Sequence, residues 1–302
     1  MSILYYLVLI PFSKLPFSVL YRLSDIAYFL IFYVFKYRRK VVTNNIANSF
    51  PKLSEPERLK IVKKFFRHFC DLAVEAMKAF TISKEELNGR FKHRNPEIFQ
   101  KYFDTNRHVT LVGGHYGNWE LLAVSIAMHM PHRPVGLFTP LMNKFMNGKV
   151  IESRSKYGLW LRKYSEVKGM MTDRNHERLA VIFGADQCPR YDQRPYWMSF
   201  LNQETPVQFG TEKFARDNNT PVVYGVINKL KRGHYEIEYK LISENPKELP
   251  IGQITEIHTK LLEKNINAEP AFWLWSHKRW KRSKAEFERR ALLATGHQKV
   301  VT

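Results

Sequence analysis

Alternating strand and helix patterns between residues 109 and 268 restrict the fold of this 302-residue chain more than any other feature. The apolar run 109–112 (VTLV) predicts a buried strand, and the following segment predicts a helix capped by Asn118. Three later segments have the apolar or alternating pattern of strands: 177–187, 220–227 and 234–242. The apolar run of the first of these ends near Gly184. Two further segments are helical: 211–219 and 254–270. Upstream of them, Ser54 as N-cap with Glu57 as its capping-box partner predicts the start of an amphipathic helix. This order predicts an α/β sheet with helices on its faces.

The first 35 residues are apolar and aromatic, but charged residues interrupt them. Lys14, Arg22 and Asp25 leave no uncharged stretch of the roughly 18–20 residues that a clean bilayer span needs. Because Arg22 and Asp25 are three residues apart, they could pair in a helix and lower the cost of insertion. We expect an N-terminal membrane helix over residues 15–35 or a hairpin lying in the membrane interface, with a helix packed on the domain as the weaker alternative.

A basic cluster, KYRRK at 36–40, follows the apolar segment. Lysine and arginine next to a membrane segment mark its cytoplasmic side. The sequence therefore predicts an N-terminal membrane anchor over residues 1–40, followed by one domain over residues 41–302 on the cytoplasmic side.

The formal charge of +20 arises from 48 Lys and Arg against 28 Asp and Glu. Such an excess indicates an anionic partner: nucleic acid, an anionic membrane, a phosphorylated lipid or an acidic protein. The two cysteines, Cys70 and Cys188, form neither a disulfide framework nor a zinc pattern, which favours a reducing compartment.

The stretch GGHYGNWE, residues 113–120, follows the first predicted strand. Ligand sites of α/β sheets lie at the carboxyl ends of the strands, so His115 is placed where a substrate would bind. Gly113 and Gly114 allow a sharp turn, and Glu120 falls in the first turn of the next helix. We expect Glu120 to contact His115, fix its tautomer and leave the other ring nitrogen free to take a proton. Taken alone, such a turn is more often structural than catalytic, and the spacing does not match a zinc peptidase.

The His-x4-Glu pattern after a strand and a glycine turn resembles the signature of the glycerolipid acyltransferase superfamily. The wider chain resembles its lipid A secondary acyltransferase branch, the lauroyl and myristoyl transferases. Five blocks carry the resemblance in the family's order: 38–66, 111–120 (LVGGHYGNWE), 147–158 (NGKVIESRSKYG), 181–187 (VIFGADQ) and 269–282 (EPAFWLWSHKRWKR). The fold that it implies is a mixed central sheet flanked by helices, with the N-terminal membrane helix or interfacial hairpin attached.

The resemblance also implies roles for individual residues. His115 would be the general base and Glu120 the residue that orients it, with no metal in the site. Arg154 would bind a phosphate or support the oxyanion, unless it is a solvated or helix-pairing arginine. The substrate-binding residues would be Gly114, Arg154, Asp186, Gln187 and Gly210.

Asp186 and Gln187 end a predicted strand, so they should line the same crevice as His115. A carboxylate at position 186 would position Arg154 or a sugar hydroxyl, and the alternative is a turn cap before Cys188. Gly210 is expected to open the helix that follows. At 202–204 this chain departs from the more apolar family pattern, which leaves the acyl-pocket shape and the chain length open.

The function implied is secondary acylation of a lipid A precursor at the inner membrane. The donor would be acyl-acyl carrier protein, with no other cofactor, and membrane phospholipids but no nucleic acid would be partners. Acyltransfer to another glycolipid, an amino-acid lipid or a lysophospholipid is the nearest alternative. A basic membrane-associated nucleic-acid binder and a non-catalytic lipid-binding scaffold are alternatives from other classes.

Three tryptophans, Trp273, Trp275 and Trp280, lie among basic residues near the end of the chain. This mixture suits a membrane surface that bears phosphates, and it could also stack on nucleic acid. Burial on a terminal helix is an equal alternative for Trp273 and Trp275.

Overall fold

A computed structural model of the protein describes residues 2–171 and 177–297. Within them, seven strands form one sheet in the order β1-β9-β8-β2-β5-β3-β4, and β6 and β7 form a separate hairpin. The strands are β1 Phe91–His93, β2 Val109–Gly113, β3 Arg133–Leu137, β4 Trp160–Arg162, β5 Leu179–Gly184, β6 Pro195–Phe200, β7 Gln203–Gln208, β8 Val222–Lys231 and β9 His234–Ser243. In the seven-stranded sheet, β8 and β9 pair antiparallel and all other neighbours pair parallel. The expected mixed α/β sheet is therefore confirmed.

Twelve helices accompany the strands in the described ranges. They are α1 Ser2–Lys14, α2 Phe17–Val34, α3 Arg39–Ser49, α4 Glu55–Lys78, α5 Lys84–Arg90, α6 Gln100–Asp104, α7 Trp119–Ser125, α8 Lys144–Ser155, α9 Tyr164–Met170, α10 Gly210–Asn218, α11 Gln253–Ala268 and α12 Lys284–His297. Two predicted helix starts are confirmed. Ser54 and Glu57 form a capping box at α4, and the side chain of Asn118 accepts the Leu121 N–H at α7.

Strand β2 is covered on both of its faces. Val112 belongs to one hydrophobic cluster, together with Phe183 of β5 and Phe214 of α10. The neighbouring Leu111 belongs to a second cluster, together with Leu121 of α7. Because successive side chains of a strand point to opposite faces, the two clusters are the two helix-covered layers of the sheet. The central strand that carries the His115 turn is thus rigidly packed.

The N-terminal helices pack against the domain. Helix α2 buries four large side chains against the domain: Phe17, Leu20, Tyr28 and Phe32. In all, 28% of its 18 residues are buried inside the protein, and the others are exposed or half-buried. Among the described helices, α2 alone is long and apolar enough to cross a bilayer, by length and composition only. The division of the chain at residue 40 stays a prediction.

Asp25 of α2 pairs with a residue of the domain and not with Arg22, the partner that the three-residue spacing indicated. Its carboxylate accepts hydrogen bonds from Arg232, at the turn between β8 and β9, with a shortest distance of 2.7 Å. Arg22 is exposed on the helix. The charge of Asp25 is thus matched by the domain, which a pattern within one helix could not reveal.

Candidate active site

Two glycines that end neighbouring strands bring the candidate site together. Gly113, the last residue of β2, pairs with Gly184, the last residue of β5, in parallel register. His115 and Asp186 each lie two residues beyond this pair. The two chains leave the same edge of the sheet side by side, so the two side chains meet there.

Asp186 binds His115 through both carboxylate oxygens. The Nδ1 atom of the ring lies 2.6 Å from Oδ1, and the backbone N–H of His115 donates to Oδ2 at 2.8 Å. The indole N–H of Trp273 donates to the same Oδ2 at 2.8 Å. The Asp186 side chain is only 3% exposed, against 25% for His115. The carboxylate is therefore held from three directions, while the histidine reaches the solvent side of the crevice.

This geometry selects one tautomer of His115. An ionised carboxylate only accepts hydrogen bonds, so Nδ1 carries the proton and Nε2 is left with its lone pair. The amide nitrogen of Gln187 lies 3.4 Å from Nε2, a long contact on the same side of the ring. A neutral imidazole that keeps the Nε2 lone pair, on a side chain that is 25% exposed, is the arrangement of a general base.

Opposing effects set the pKa values of the pair. Burial alone lowers the pKa of His115, but the charge and hydrogen bond of Asp186, and then the charge of Glu120, outweigh it and raise the pKa above 6.5. Burial raises the pKa of the Asp186 carboxyl. The attraction and hydrogen bond of His115, followed by the hydrogen bond of Trp273, outweigh burial and lower it to about 2. Asp186 is thus ionised across the physiological range.

The expected contact between Glu120 and His115 is absent from the described hydrogen bonds, and the expectation that Asp186 would position Arg154 is wrong. Glu120 instead binds Arg154 of α8, whose Nη2 donates to its carboxylate at 2.7 and 2.8 Å and whose Nε donates at 3.1 Å. The reason is geometric. Asp186 already occupies Nδ1 from the neighbouring strand end, whereas Glu120, in the first turn of α7, binds Arg154 of the adjacent helix α8.

Two glycines make room for this pair. A Cβ at Gly114 would lie 3.0 Å from the Leu262 side chain and 3.2 Å from Oδ2 of Asp186, and one at Gly184 would lie 3.1 Å from Cε1 of His115. The space beside Gly114, a residue that the resemblance implied would bind substrate, is filled by protein atoms. Gly114 therefore supports the site by allowing Asp186 to approach.

Gln187 and Gly210 have different relationships to the site. Besides its contact with His115, Gln187 accepts at its backbone oxygen from the Gln208 side chain at 3.2 Å. Gly210 begins α10, as expected, but it is exposed and a Cβ there would meet nothing within 4 Å. Within the described residues, none of the hydrogen bonds that build the site involves Gly210, so its role in binding stays a prediction.

The segment after α11 closes the back of the site. Leu274 donates its backbone N–H to the oxygen of His115 at 3.1 Å, and Gly117 donates to Phe272 at 2.9 Å. Tyr116 and Trp273 form an isolated antiparallel bridge between these two segments. The histidine turn is therefore fixed by a segment that lies 159 residues later in the chain.

Burial, one of the two expected placements of Trp273 and Trp275, is confirmed, but the terminal helix expected to carry them is not. Trp273 and Trp275 are buried, 2% and 0% exposed, and they follow a short 3-10 turn at Pro270–Phe272 rather than lying on a terminal helix. A membrane-facing or base-stacking role is therefore wrong for these two. The contribution of Trp273 to the site was missed, and its only signal was its place in the Trp-rich block.

The segment 202–204 forms the turn and first residues of β7 in the β6–β7 hairpin. Asn202 donates to the backbone oxygen of Ser49 at 2.8 Å, and Gln203 donates to the Ser49 hydroxyl at 3.2 Å. These polar residues thus join the hairpin to the end of α3, which accounts for their departure from an apolar pattern. In the described part of the chain, no group of three or more His, Cys, Asp or Glu side chains is arranged to hold a metal ion.

Comparison with known proteins identifies the family. The model of the bacterial lipid A biosynthesis acyltransferase family matches residues 1–282. The chain is also 25% identical over 276 residues to the lipid A biosynthesis lauroyltransferase of Escherichia coli (strain K12), which covers 89% of this chain and 87% of that protein. The resemblance seen in the sequence is confirmed: the chain belongs to the bacterial lipid A biosynthesis acyltransferase family and is an acyltransferase.

Proposed function

We propose that the protein transfers a fatty acyl chain from acyl-acyl carrier protein to a hydroxyl group of a lipid A precursor, at the cytoplasmic face of the inner membrane. The observation that carries the proposal is His115, which Asp186 holds through Nδ1 while the partly exposed side chain keeps the Nε2 lone pair, in a chain of this family. The E. coli relative, by its name, transfers a lauroyl group in lipid A biosynthesis. The acceptor hydroxyl would belong to an acyl chain already attached to the precursor.

The reaction follows from the tautomer of His115. Nε2 takes the proton of the acceptor hydroxyl while that oxygen attacks the thioester carbonyl carbon. The tetrahedral oxyanion that forms collapses with cleavage of the carbon–sulfur bond, and the departing thiolate takes the proton back from Nε2. The products are an ester on the acceptor and a free thiol on the carrier. Acyl transfer is direct, and Asp186 stabilises the imidazolium that exists between the two proton transfers.

Arg154 supplies the positive charge beside this histidine. The Arg154 side chain is 31% exposed, and Glu120 orients its guanidinium through the hydrogen bonds described above. A guanidinium with a fixed orientation suits a phosphate of the acceptor or the developing oxyanion of the thioester. In this proposal Glu120 acts by orienting Arg154 and by the effect of its charge on His115. Gln187, which lies beside the Nε2 atom of His115, contacts the acceptor there.

The charge of the protein suits both substrates. A chain of +20 attracts an acidic carrier protein and a phosphorylated lipid, and the attraction accelerates association more than it tightens the final complex. Salt screens this long-range attraction, so transfer from acyl-acyl carrier protein should weaken as ionic strength rises. Anionic phospholipids of the membrane are expected partners for the same reason.

Lipid A mass tests the proposal. Bacterial cells that lack a secondary acyltransferase would express either this chain or its His115→Ala variant, and their lipid A would be compared by mass spectrometry. We expect a gain of one acyl group with the intact chain, with the mass increment giving the chain length, and no gain with the variant. No gain from either chain, with both present in the membranes, would contradict lipid A as the acceptor and direct attention to other glycolipids and lysophospholipids.

A further inference from the structure

We propose that Arg279 is a positioning residue of the active site, which balances the buried charge of Asp186 through one internal water molecule. The inference deepens the proposed function and rests on it, because it concerns the carboxylate that holds the base, His115. Two observations carry it: a small polar cavity that Asp186 lines, and buried hydrogen-bonding atoms around that cavity which have no partner among the described residues.

The cavity is bordered by the ends of β2 and β5, by the β6–β7 hairpin and by α11. Its polar lining includes Asp186, Tyr224, His258 and Arg279. The space that the centre of a water molecule can occupy inside it is about 10 Å³. A buried site needs roughly 10–15 Å³ of such space to hold one water, together with two to four polar partners. The cavity therefore has the size and the lining for a single water.

The guanidinium of Arg279 is buried with few partners. The residue is 2% exposed, and its Nη2 donates to the backbone oxygen of Pro206 at 2.7 Å. Its Nε and Nη1 atoms have no hydrogen-bond partner in the part of the chain that the structure describes. A buried cation is costly unless it is hydrogen-bonded and its charge is balanced. These two donors therefore need an acceptor inside the protein.

The charge that balances Arg279 is that of Asp186. Burial lowers the pKa of Arg279 to about 10, against the attraction of Cys188 and Asp186, so the guanidinium is charged at neutral pH. Of the described residues that line the cavity, Asp186 is the only acidic one. A buried cation and a buried carboxylate thus face the same small space.

The Asp186 carboxylate can accept a further hydrogen bond. Its Oδ2 accepts from the backbone N–H of His115 and from the indole of Trp273. Its Oδ1 accepts, among the described bonds, only from Nδ1 of His115. Because each carboxylate oxygen has about two acceptor sites, Oδ1 has one left for a water that also contacts Arg279.

His258 supplies a third contact for the water. It is 3% exposed, and its Nε2 has no partner within the described ranges. Its Nδ1 lies 3.4 Å from the hydroxyl oxygen of Thr259, and a proton on Nδ1 leaves Nε2 as an acceptor. One water can then accept from Arg279 and donate to Asp186 and to His258. Three hydrogen bonds of this kind are typical of a buried water.

The other titratable groups that face Asp186 are neutral near neutral pH. Burial raises the pKa of Tyr224, which keeps its proton. Burial lowers the pKa values of His258 and His277 to about 4, against the charge of Asp186. Arg279 is therefore the one of these groups that can balance the carboxylate with a lasting positive charge.

This arrangement gives Arg279 an effect on the base without contact with substrate. A cation beside the His115–Asp186 pair disfavours the imidazolium form, so it lowers the pKa of His115. Loss of the Arg279 charge should therefore raise the pKa of His115. Loss of the Asp186 charge has the opposite effect, so the direction of the shift distinguishes the two residues.

A crystal structure of the full-length protein, at a resolution that shows ordered water, tests the geometry. We expect one water in the cavity, within about 2.7–3.2 Å of polar atoms of Arg279, Asp186 and His258. A cavity without water would overturn the proposal, as would a water that contacts Arg279 but not Asp186, or a direct ion pair between these two residues.

Chemical modification of His115 tests the effect on the base without acyl transfer. Diethyl pyrocarbonate reacts with the neutral imidazole, so the modification rate across the pH range, located at His115 by peptide mass spectrometry, follows its titration. Arg279→Met removes the charge, and Arg279→Lys keeps it. Lys78→Met is the matched control, because Lys78 is also buried, at 7% exposed, and donates to the backbone oxygen of Leu15 instead.

On the acidic side of the midpoint we expect Arg279→Met to lower the modification rate about threefold to tenfold, since the loss of one nearby unit charge inside a protein changes a protonation equilibrium by about this factor. Arg279→Lys and Lys78→Met should follow the unchanged protein. An unmoved midpoint in Arg279→Met, or an equal shift in either of the other variants, would overturn the proposal. Circular dichroism checks that each variant is folded, and the crystal structure of the unchanged protein decides the geometry even where a variant does not fold.

Neither readout uses a donor or an acceptor lipid. The expected shift without transfer to lipid A would contradict the proposed function alone, and transfer to lipid A without the shift would contradict only the role of Arg279.

Discussion

Asp186 holds the Nδ1 atom of His115 at 2.6 Å, although 71 residues of chain separate the two side chains. Glu120, only five residues from the histidine, instead binds Arg154. The site therefore has two carboxylates with different partners. Asp186 fixes the tautomer of the base, and Glu120 fixes the orientation of a guanidinium beside it.

Replacing Asp186 with asparagine should change the pH dependence of transfer. The neutral form of His115 is the active base, so activity is lost as the pH falls through its raised pKa. Without the charge of Asp186, burial dominates and the pKa falls, so the acidic limb of the rate profile should move to lower pH. We also expect the rate to drop about 10²–10⁴-fold, because asparagine does not enforce the correct tautomer.

The measurement is the initial rate of acyl transfer from acyl-acyl carrier protein across the pH range. His115→Ala serves as the reference for activity without a base. An acidic limb that stays in place in Asp186→Asn would show that Asp186 does not set the pKa of the base.

Glu120→Gln should produce a smaller shift in the same direction. The charge of Glu120 raises the pKa of His115, but it ranks behind both contributions of Asp186. The variant should also release Arg154 and raise KM for the acceptor. Arg154→Lys keeps the positive charge but loses the paired hydrogen bonds, so it should raise KM without moving the acidic limb to the extent that Asp186→Asn does. A larger pH shift in Glu120→Gln than in Asp186→Asn would identify Glu120 as the residue that orients the base.

Trp273→Phe should reduce both the stability of the fold and the rate of transfer. The change removes the N–H donated to Asp186 and leaves a buried oxygen with one donor fewer, at a cost of about 1–3 kcal/mol. Trp280→Phe is the matched control, because its indole N–H donates at 2.7 Å to Thr205 instead. Urea unfolding and transfer rates would be measured for both. Equal losses of activity at equal stability would mean that the bond to Asp186 has no special role in catalysis.

Glycine substitutions distinguish a tight position from an open one. At Gly114 a methyl group would press on Leu262 and on the oxygen of Asp186 that accepts from His115, so Gly114→Ala should reduce transfer at least about tenfold. At Gly210 a methyl group meets nothing, and in a helix it should stabilise the fold by about 0.5–1 kcal/mol with activity kept. Thermal unfolding and transfer rates provide the comparison. Loss of activity in Gly210→Ala, with stability unchanged or improved, would support the substrate contact expected for that residue.

Local patterns were sufficient for much of the fold. The strand at β2, the capped start of α7 and the capping box of α4 depend on neighbours within four residues, and all three were predicted. Strand β3, which contains Pro134 and Gly136, was not identified, because these residues signal a turn when read alone. The β6–β7 hairpin was missed too. Leu201 and Asn202 turn with positive φ values of 51° and 60°, and leucine is an unusual residue for that conformation.

The sequence by itself determined that a histidine would stand at the carboxyl end of a central strand and that a carboxylate would stand at the end of another. It also determined the family, through five blocks in order. Only the tertiary structure decided which carboxylate serves the histidine, since Gly113 and Gly184 are aligned by the pairing of β2 with β5, and Glu120 and Arg154 by two neighbouring helices. These partners are 71 and 34 residues apart. Pairing over such separations arises from strand register and helix packing, which no short-range pattern contains.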